Sequence, residues 1–254
     1  MNVNSIITGD SAEVLKTFDA DCIDLTVTSP PYDNLRAYNG FVFDFETIAR
    51  ELYRVTKPGG VVVWVVGDAT INGSETGTSF RQALYFMECG FNLHDTMIWN
   101  KKNAMPQVDK TRFTQSFEYM FVFSKEKPAA ANPRMSKTIN SGKFMKRGDG
   151  NSQNINSAGG GIVNAERIAF NVCEYSVSDS NNGHPAIFPE ALARDHILSW
   201  SNPGDLVLDC FAGSGTTLKA AKQLKRDYIG IEISAEYVTI AEKRLLATTP
   251  ALFA

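Results

Sequence analysis

The sequence has little of what disulfide scaffolds, metal sites and membrane spans require. Of its 254 residues only four are cysteines, and these stand far apart: Cys22, Cys89, Cys173 and Cys210. The three histidines form no metal-binding pattern with them, so we expect reduced, structural thiols and no metal site. The longest purely apolar run, residues 61–66, is far too short to span a bilayer.

The first residues of the sequence also do not match the pattern of a secretory leader. Residues 1–9 contain neither a basic segment nor a long apolar stretch, so the expected location is the cytoplasm. Hydrophobic residues make up 43% and charged residues 21% of the chain, as in ordinary globular proteins. Since this length is near the upper limit of one hydrophobic core, we expect a single α/β domain that carries an insertion.

The net charge of -3 is unevenly distributed along the chain. Residues 101–147 contain 11 Lys and Arg against 3 Asp and Glu, whereas the remainder contains 14 against 25. A polyanionic partner for this segment is one interpretation. A solvated basic loop is the other.

Hydrophobic periodicity predicts alternating strands and helices. The predicted strands are 23–28, 61–66, 96–99, 117–123, 206–210 and 228–231, and the predicted helices are 44–55, 79–89, 189–199, 216–224 and 235–246. This order predicts a doubly covered, mostly parallel, Rossmann-like sheet. Between the two groups of elements, residues 140–164 are rich in Gly, Ser and Asn, which predicts a loop-rich insertion.

A glycine turn follows the predicted strand 206–210 and opens the next helix. A P-loop would need lysine at its end, and a dinucleotide fingerprint would need a third glycine where Leu218 stands. S-adenosylmethionine fits better, because it has no phosphate and carries a cationic sulfonium. Asp209 would accept hydrogen bonds from its ammonium and Glu232 from its ribose hydroxyls. The alternative is that Gly213 and Gly215 only make a turn.

The segment Ser29-Pro30-Pro31-Tyr32 follows the predicted strand 23–28 and suits chemistry on an aromatic amine. The exocyclic amino nitrogen of cytosine or adenine is a poor nucleophile, because its lone pair is delocalised into the ring. Two acceptors, Ser29 Oγ and the Pro30 carbonyl, would bind its hydrogens and aim the lone pair at a methyl group. Tyr32 would stack on a base extruded from the duplex. The alternative is a proline-stiffened turn.

Together these motifs resemble the DNA amino-methyltransferases (N4-cytosine and N6-adenine), in particular the permuted β group with Ser-Pro-Pro-Tyr. The resemblance implies the methyltransferase fold with a seven-stranded, mostly parallel sheet. It also implies a catalytic half at 1–103, an inserted target-recognition region at 104–183 and a cofactor half at 184–254. The cofactor-binding residues implied by the resemblance are Asp10, His184, Asp209, Phe211, Ala212, Gly213, Ser214, Gly215, Thr216, Glu232 and Ile233.

The resemblance further implies double-stranded DNA as substrate, a homodimer and a separately acting restriction endonuclease. The predicted DNA contacts lie in the basic segment: Lys101, Lys102, Lys110, Arg112, Lys143, Lys146 and Arg147. Cytosine N4 is favoured, because the family's cytosine enzymes usually carry Ser where Ser29 stands, whereas its adenine enzymes carry Asp or Asn. Adenine N6 methylation is the alternative. A DNA-binding module without turnover and a protein amide methyltransferase are two further hypotheses.

Overall fold

The structure is a computed structural model that describes residues 2–31, 43–104, 106, 111–139, 141–145, 161–162, 164–176 and 189–249. The chain forms two compact units. The first comprises Met1–Asn132 and Asn171–Ala254, and the second comprises Pro133–Phe170. Among the described residues, none of the helices has the length and apolar character that crossing a membrane demands.

Helices and strands alternate along the first unit. In chain order its elements are β1 (Ser5–Thr8), α1 (Ser11–Lys16), β2 (Ile23–Thr28), α2 (Phe45–Val55), β3 (Thr56–Val66), β4 (Thr70–Ile71), β5 (Ser74–Glu75), α3 (Thr78–Glu88), β6 (Asn92–Lys101) and β7 (Phe117–Ser124). The second unit contributes β8 (Met135–Lys137), β9 (Phe144–Met145), β10 (Gly161–Ile162) and β11 (Glu166–Ile168). The first unit then resumes with β12 (Val172–Tyr175), α4 (Glu190–Trp200), β13 (Leu206–Asp209), α5 (Thr216–Gln223), β14 (Asp227–Glu232) and α6 (Ala235–Leu246).

The first unit is built on one mixed sheet with the strand order β1-β14-β13-β2-β3-β7-β6-β12. Only the pairings β3–β7 and β6–β7 are antiparallel, so the predicted mostly parallel sheet is confirmed. The sheet has eight strands, however, and not the expected seven. The periodicity missed β1 and β12, which are edge strands of only 4 residues and therefore too short to display an alternating pattern.

Helices cover both faces of the central strands. On one face, α1, α2 and α3 pack against Val62, Trp64 and Val66 of β3. On the other face, α4 and α5 pack around Val61, Val63 and Val65 of the same strand. Burial on both faces explains the continuous apolar run, which is typical of the centre of a parallel sheet.

The second unit consists of two small antiparallel pairs. In these pairs β8 lies against β11, and β9 lies against β10. The predicted recognition region at 104–183 is broader than this unit, because its residues 117–124 and 172–175 are strands β7 and β12 of the main sheet. The boundary implied by the family resemblance placed both strands in the insertion. The functional division at 1–103, 104–183 and 184–254 stays a prediction.

Candidate active site

The candidate site lies at the edge of the sheet where four neighbouring parallel strands end. Strands β1, β14, β13 and β2 run in the same direction, so the residues at their carboxyl ends share one edge. Asp10 follows β1, Ser29 follows β2, Asp209 ends β13 and Glu232 ends β14. Residues from the two ends of the sequence are therefore brought together.

A buried hydrogen bond joins the two halves of this edge. Thr28 at the end of β2 donates from Oγ1 to Asp209 Oδ1 over 2.7 Å, and both side chains are buried. The Phe211 backbone N–H donates to the same oxygen over 3.1 Å. On the next helix, Thr217 Oγ1 donates to the Val27 carbonyl over 3.2 Å. The segment that begins with Ser29 is thus fixed relative to the glycine turn.

Asp209 is an acid whose charge is costly in this environment. Burial raises its pKa to about 6, although the hydrogen bonds from Thr28 Oγ1 and the Phe211 N–H oppose that change. The nearby charge of Glu232 raises the pKa further. Within the described part of the chain Asp209 has no ion-pair partner. A bound cationic group would therefore be stabilised here.

Glu232 holds the glycine turn in place. Its Oε2 accepts from the Gly213 N–H over 2.8 Å, and its Oε1 accepts from the Ser234 N–H over 2.9 Å. Gly213 and Gly215 have φ values of 49° and 79°, in the left-handed region that favours glycine. Each oxygen of Glu232 keeps a second lone pair, so the carboxylate can accept two more hydrogen bonds.

Two residues that the sequence analysis missed support this turn. Arg244 on α6 donates from Nη1 to the Ser214 carbonyl over 2.6 Å and to Ser214 Oγ over 2.7 Å. Gly230 in β14 leaves room for the turn, because a Cβ there would lie 2.5 Å from Leu218 Cδ1 and 3.1 Å from Ala212 Cβ. Arg244 belongs to no predicted motif, whereas Gly230 lies in the segment that ends at Glu232; only the fold shows how each of them supports the turn.

The remaining predicted cofactor residues have varied environments. Ala212, Ser214 and Thr216 are buried, whereas Phe211 and Ile233 are half-buried. The Phe211 ring packs edge-on to Phe43, with ring centroids 5.6 Å apart. Asp10 caps α1, accepting from the Ala12 N–H over 2.9 Å and the Glu13 N–H over 3.2 Å. The predicted His184 lies outside the described residues.

The predicted catalytic segment continues directly from Thr28. Ser29 and Pro31 are half-buried and Pro30 is buried, while Tyr32 lies outside the described residues. Because Thr28 is anchored to Asp209, the Ser29 side chain is carried on a strand end that cannot shift independently of β13.

Several of the basic side chains that were predicted to contact DNA form ion pairs with acidic side chains in the structure. Lys101 pairs with Glu118 at 2.6 Å, Arg112 with Glu75 at 3.1 Å and Lys102 with Glu174 at 3.6 Å. Lys143 is exposed and belongs to the second unit. Lys110, Lys146 and Arg147 lie outside the described residues. Two of the acidic partners, Glu75 and Glu174, lie outside residues 101–147. The net charge counted over that segment therefore overstated the positive electrostatic field around it.

The chain is similar to known proteins both in sequence and in fold. The family model described as "DNA methylase" matches residues 23–243. The "Orphan methyltransferase M.BamHII" of Bacillus amyloliquefaciens is 56% identical, with 89% of each chain covered. The "Type II methyltransferase M.SmaI" of Serratia marcescens is 29% identical, with 95% of this chain and 90% of the relative covered.

Among solved structures, the PvuII DNA methyltransferase (cytosine-N4-specific) matches with a TM-score of 0.70. Its identity is 25%, over 96% of this chain and 86% of the other. A structure of M1.HpyAVI in complex with SAM matches with a TM-score of 0.65 and 26% identity, over 95% of this chain and 98% of the other.

The first prediction concerns the acid at the centre of the site. The pKa of Asp209 is higher in the folded than in the unfolded chain, so its charge destabilises the fold above pH 6 and costs less as the pH falls towards 4. We expect Asp209→Asn to raise the unfolding free energy of the ligand-free protein at pH 8 by about 1–3 kcal/mol. Urea unfolding at pH 8 and pH 5 measures this.

The pH series contains its own control. The advantage of the variant should shrink between pH 8 and pH 5, since protonation of wild-type Asp209 removes the same cost. A variant that is destabilised equally at both pH values would show that the Asp209 charge is not a source of strain in the fold.

Proposed function

Because the chain belongs to the DNA methylase family, we propose that it transfers a methyl group from S-adenosylmethionine to the N4 amino group of cytosine in DNA. The protein is an S-adenosylmethionine-dependent DNA methyltransferase of the N4/N6 amino family. The choice of base and the roles of individual residues are the proposal. The proposal rests on the hydrogen bond from Thr28 to Asp209, which fixes the segment that begins with Ser29 at the sheet edge where Asp209 and Glu232 also stand.

The residues at the carboxyl edge fit the cofactor by charge and by hydrogen-bonding capacity. A cationic ligand compensates the buried Asp209, and its ammonium is the group we assign there. Glu232 has lone pairs left for two ribose hydroxyls after it accepts from Gly213 and Ser234. When bound, the cofactor supplies an electrophilic methyl group on a sulfonium.

The chain's own catalytic task is to make the base nitrogen nucleophilic. Ser29 Oγ and the Pro30 carbonyl accept the two amino hydrogens and direct the nitrogen lone pair towards the methyl group. As the nitrogen–carbon bond forms, the bond between the methyl group and sulfur breaks, and the methylated nitrogen releases one of its hydrogens as a proton to solvent. The ring torsions of Pro30 and Pro31 keep both acceptors in place. This arrangement acts in the transition state more than in the ground state, because the nitrogen becomes tetrahedral only as the new bond forms. Tyr32 is proposed to stack on the extruded base.

Two points support cytosine over adenine. Ser stands at position 29, where the family's cytosine enzymes carry it. In addition, the structure that matches with a TM-score of 0.70 is titled cytosine-N4-specific. Adenine N6 is the alternative, since a hydroxyl and a carboxylate oxygen each accept a hydrogen bond from an amino group.

The second prediction is that cytosine carries the methyl group. Incubation with labelled S-adenosylmethionine and mixed DNA, followed by digestion and mass spectrometry of the nucleosides, should give N4-methylcytosine. Detection of N6-methyladenine instead would replace the proposal by its alternative.

The same assay tests the acceptor role of Ser29. Ser29→Ala should lower turnover by about 100-fold or more while S-adenosylmethionine affinity stays the same, because only the transition state uses the lost acceptor. Ser5→Ala, at the opposite end of the sheet, is the matched control and should keep full activity. Full turnover by Ser29→Ala would refute the acceptor mechanism.

DNA binding is proposed for the predicted basic residues that reach solvent. Lys102 is exposed, and its pairing with Glu174 at 3.6 Å is loose enough to exchange for a phosphate. Lys143 presents a second exposed charge on the second unit. Lys101 is less available, because it pairs closely with Glu118 and is largely covered.

For the proposed homodimer, an apolar face of α3 is the contact surface that we favour. Phe80, Leu84 and Met87 lie on one side of this helix and are 51%, 60% and 45% exposed. In an antiparallel pair of α3 helices centred near Leu84, Arg81 of each copy would oppose Glu88 of the other. Such self-complementarity suits a twofold interface.

The apolar surface continues onto the sheet beside α3. The strand register places Leu93, Phe117 and Val172 on the face that α3 covers, and all three are more than a third exposed. No described helix packs over β12 on that face.

A separately acting restriction endonuclease and a cytoplasmic location stay predictions.

The third prediction tests the α3 surface. Leu84→Glu places two like charges at the centre of the twofold contact and should convert a dimer into a monomer in sedimentation analysis. Lys243→Glu on the exposed part of α6 is the control and should not change the mass. A wild-type protein that sediments as a monomer at about 50 µM, above the micromolar dissociation constants of weaker interfaces, would contradict the proposal.

A further inference from the structure

The loop at residues 111–116 carries an aromatic side chain that is not packed against the rest of the protein. Phe113 is fully exposed and is the most exposed of the large apolar side chains that the structure describes. Burying a phenylalanine is worth about 1.5–3 kcal/mol, and this residue contributes none of that to the fold. A partner that receives the ring would supply the missing burial.

The loop is nevertheless held at both ends. Arg112 donates from Nη1 to the Gly73 carbonyl over 2.7 Å and from Nη2 to Glu75 Oε1 over 3.1 Å, which ties the loop to the β4–β5 hairpin. At the other end, the Lys101 N–H donates to the Ser116 carbonyl over 2.7 Å. The sequence analysis predicted Arg112 as a DNA contact. In the structure its two hydrogen bonds fix the backbone directly before Phe113.

The loop also lies at the edge of the sheet that carries the active site. Tyr119 of β7 is in register with Val66, near the carboxyl end of β3, and Trp64 of β3 is in register with Thr28. The amino end of β7 is therefore at the edge where Ser29 stands, two strand spacings or roughly 10 Å across the sheet. Phe113 precedes that end by four residues.

We propose that the Phe113 ring enters the DNA duplex beside the target base and occupies the space that the extruded base leaves. This inference rests on the proposed function. Extrusion breaks the stacking of the target base on both neighbours, and an inserted apolar ring restores contact with the base pairs left behind. An aromatic ring suits this role because it stacks on any base. A rigidly held loop suits it because little further ordering is needed.

The experiment compares a paired with an unpaired target. Duplexes containing the methylated site, found beforehand by sequencing of modified DNA, are prepared with the target base either correctly paired or mispaired. Phe113→Ala should lower kcat/KM on the paired duplex by about 10- to 100-fold, the loss expected from one aromatic–base stacking contact. The loss should be much smaller on the mispaired duplex, because the mispaired base is easier to extrude.

Two further variants separate insertion from folding or general DNA binding. Phe113→Trp keeps a stacking ring and should retain most of the activity. Leu246→Ala removes another strongly exposed apolar side chain, at the end of α6, and should have no effect. With 2-aminopurine at the target position, the fluorescence increase on extrusion should fall in Phe113→Ala, while S-adenosylmethionine affinity stays unchanged.

Equal losses on both duplexes, or no loss on either, would overturn the inference while leaving the proposed function intact. If the wild-type protein methylated no DNA, the proposed function and this inference would fail together. A paired-specific loss that Phe113→Trp restores is the result that supports insertion.

Discussion

The hydrogen bond between Thr28 and Asp209 is the interaction on which the site depends. It crosses from β2 to β13 at 2.7 Å inside the protein and joins residues 181 positions apart in sequence. Ser29 follows one partner, and the glycine turn follows the other. Because both strands are central and parallel, the two segments cannot move apart without breaking the sheet. Catalytic and cofactor-binding segments from opposite ends of the chain thus form one site.

The cost of this arrangement is electrostatic. A buried acid with a pKa of about 6 destabilises the empty protein, and the nearby Glu232 adds to the repulsion. The fold offsets this cost locally, with hydrogen bonds from Thr28 and the Phe211 N–H to Asp209 and from two backbone N–H groups to Glu232. A cationic cofactor removes the repulsion that remains. Binding affinity and fold stability are therefore opposed at this residue.

Much of this could be predicted from residues whose pattern is local. The apolar run of β3, the glycine turn after Asp209 and the position of Glu232 at the end of β14 each follow from sequence, because strand burial and turn geometry depend on near neighbours. Thr28 could not be identified, since a threonine at a strand end has no distinguishing signal until β13 lies beside it. The contacts of Arg112 with Gly73 and Glu75 could not be predicted either, because these partners belong to a hairpin that is distant in sequence.

The coupling between the two halves is tested most directly by a double-mutant cycle on S-adenosylmethionine affinity, measured calorimetrically for Thr28→Val, Asp209→Ala and the double variant. Thr26→Val is the matched control on the same strand, since its buried hydroxyl has no hydrogen-bond partner among the described residues. We predict that Thr28→Val weakens binding in the wild-type background but adds little once Asp209 is replaced, a coupling of about 1 kcal/mol or more. Losses that add to within about 0.5 kcal/mol would contradict it.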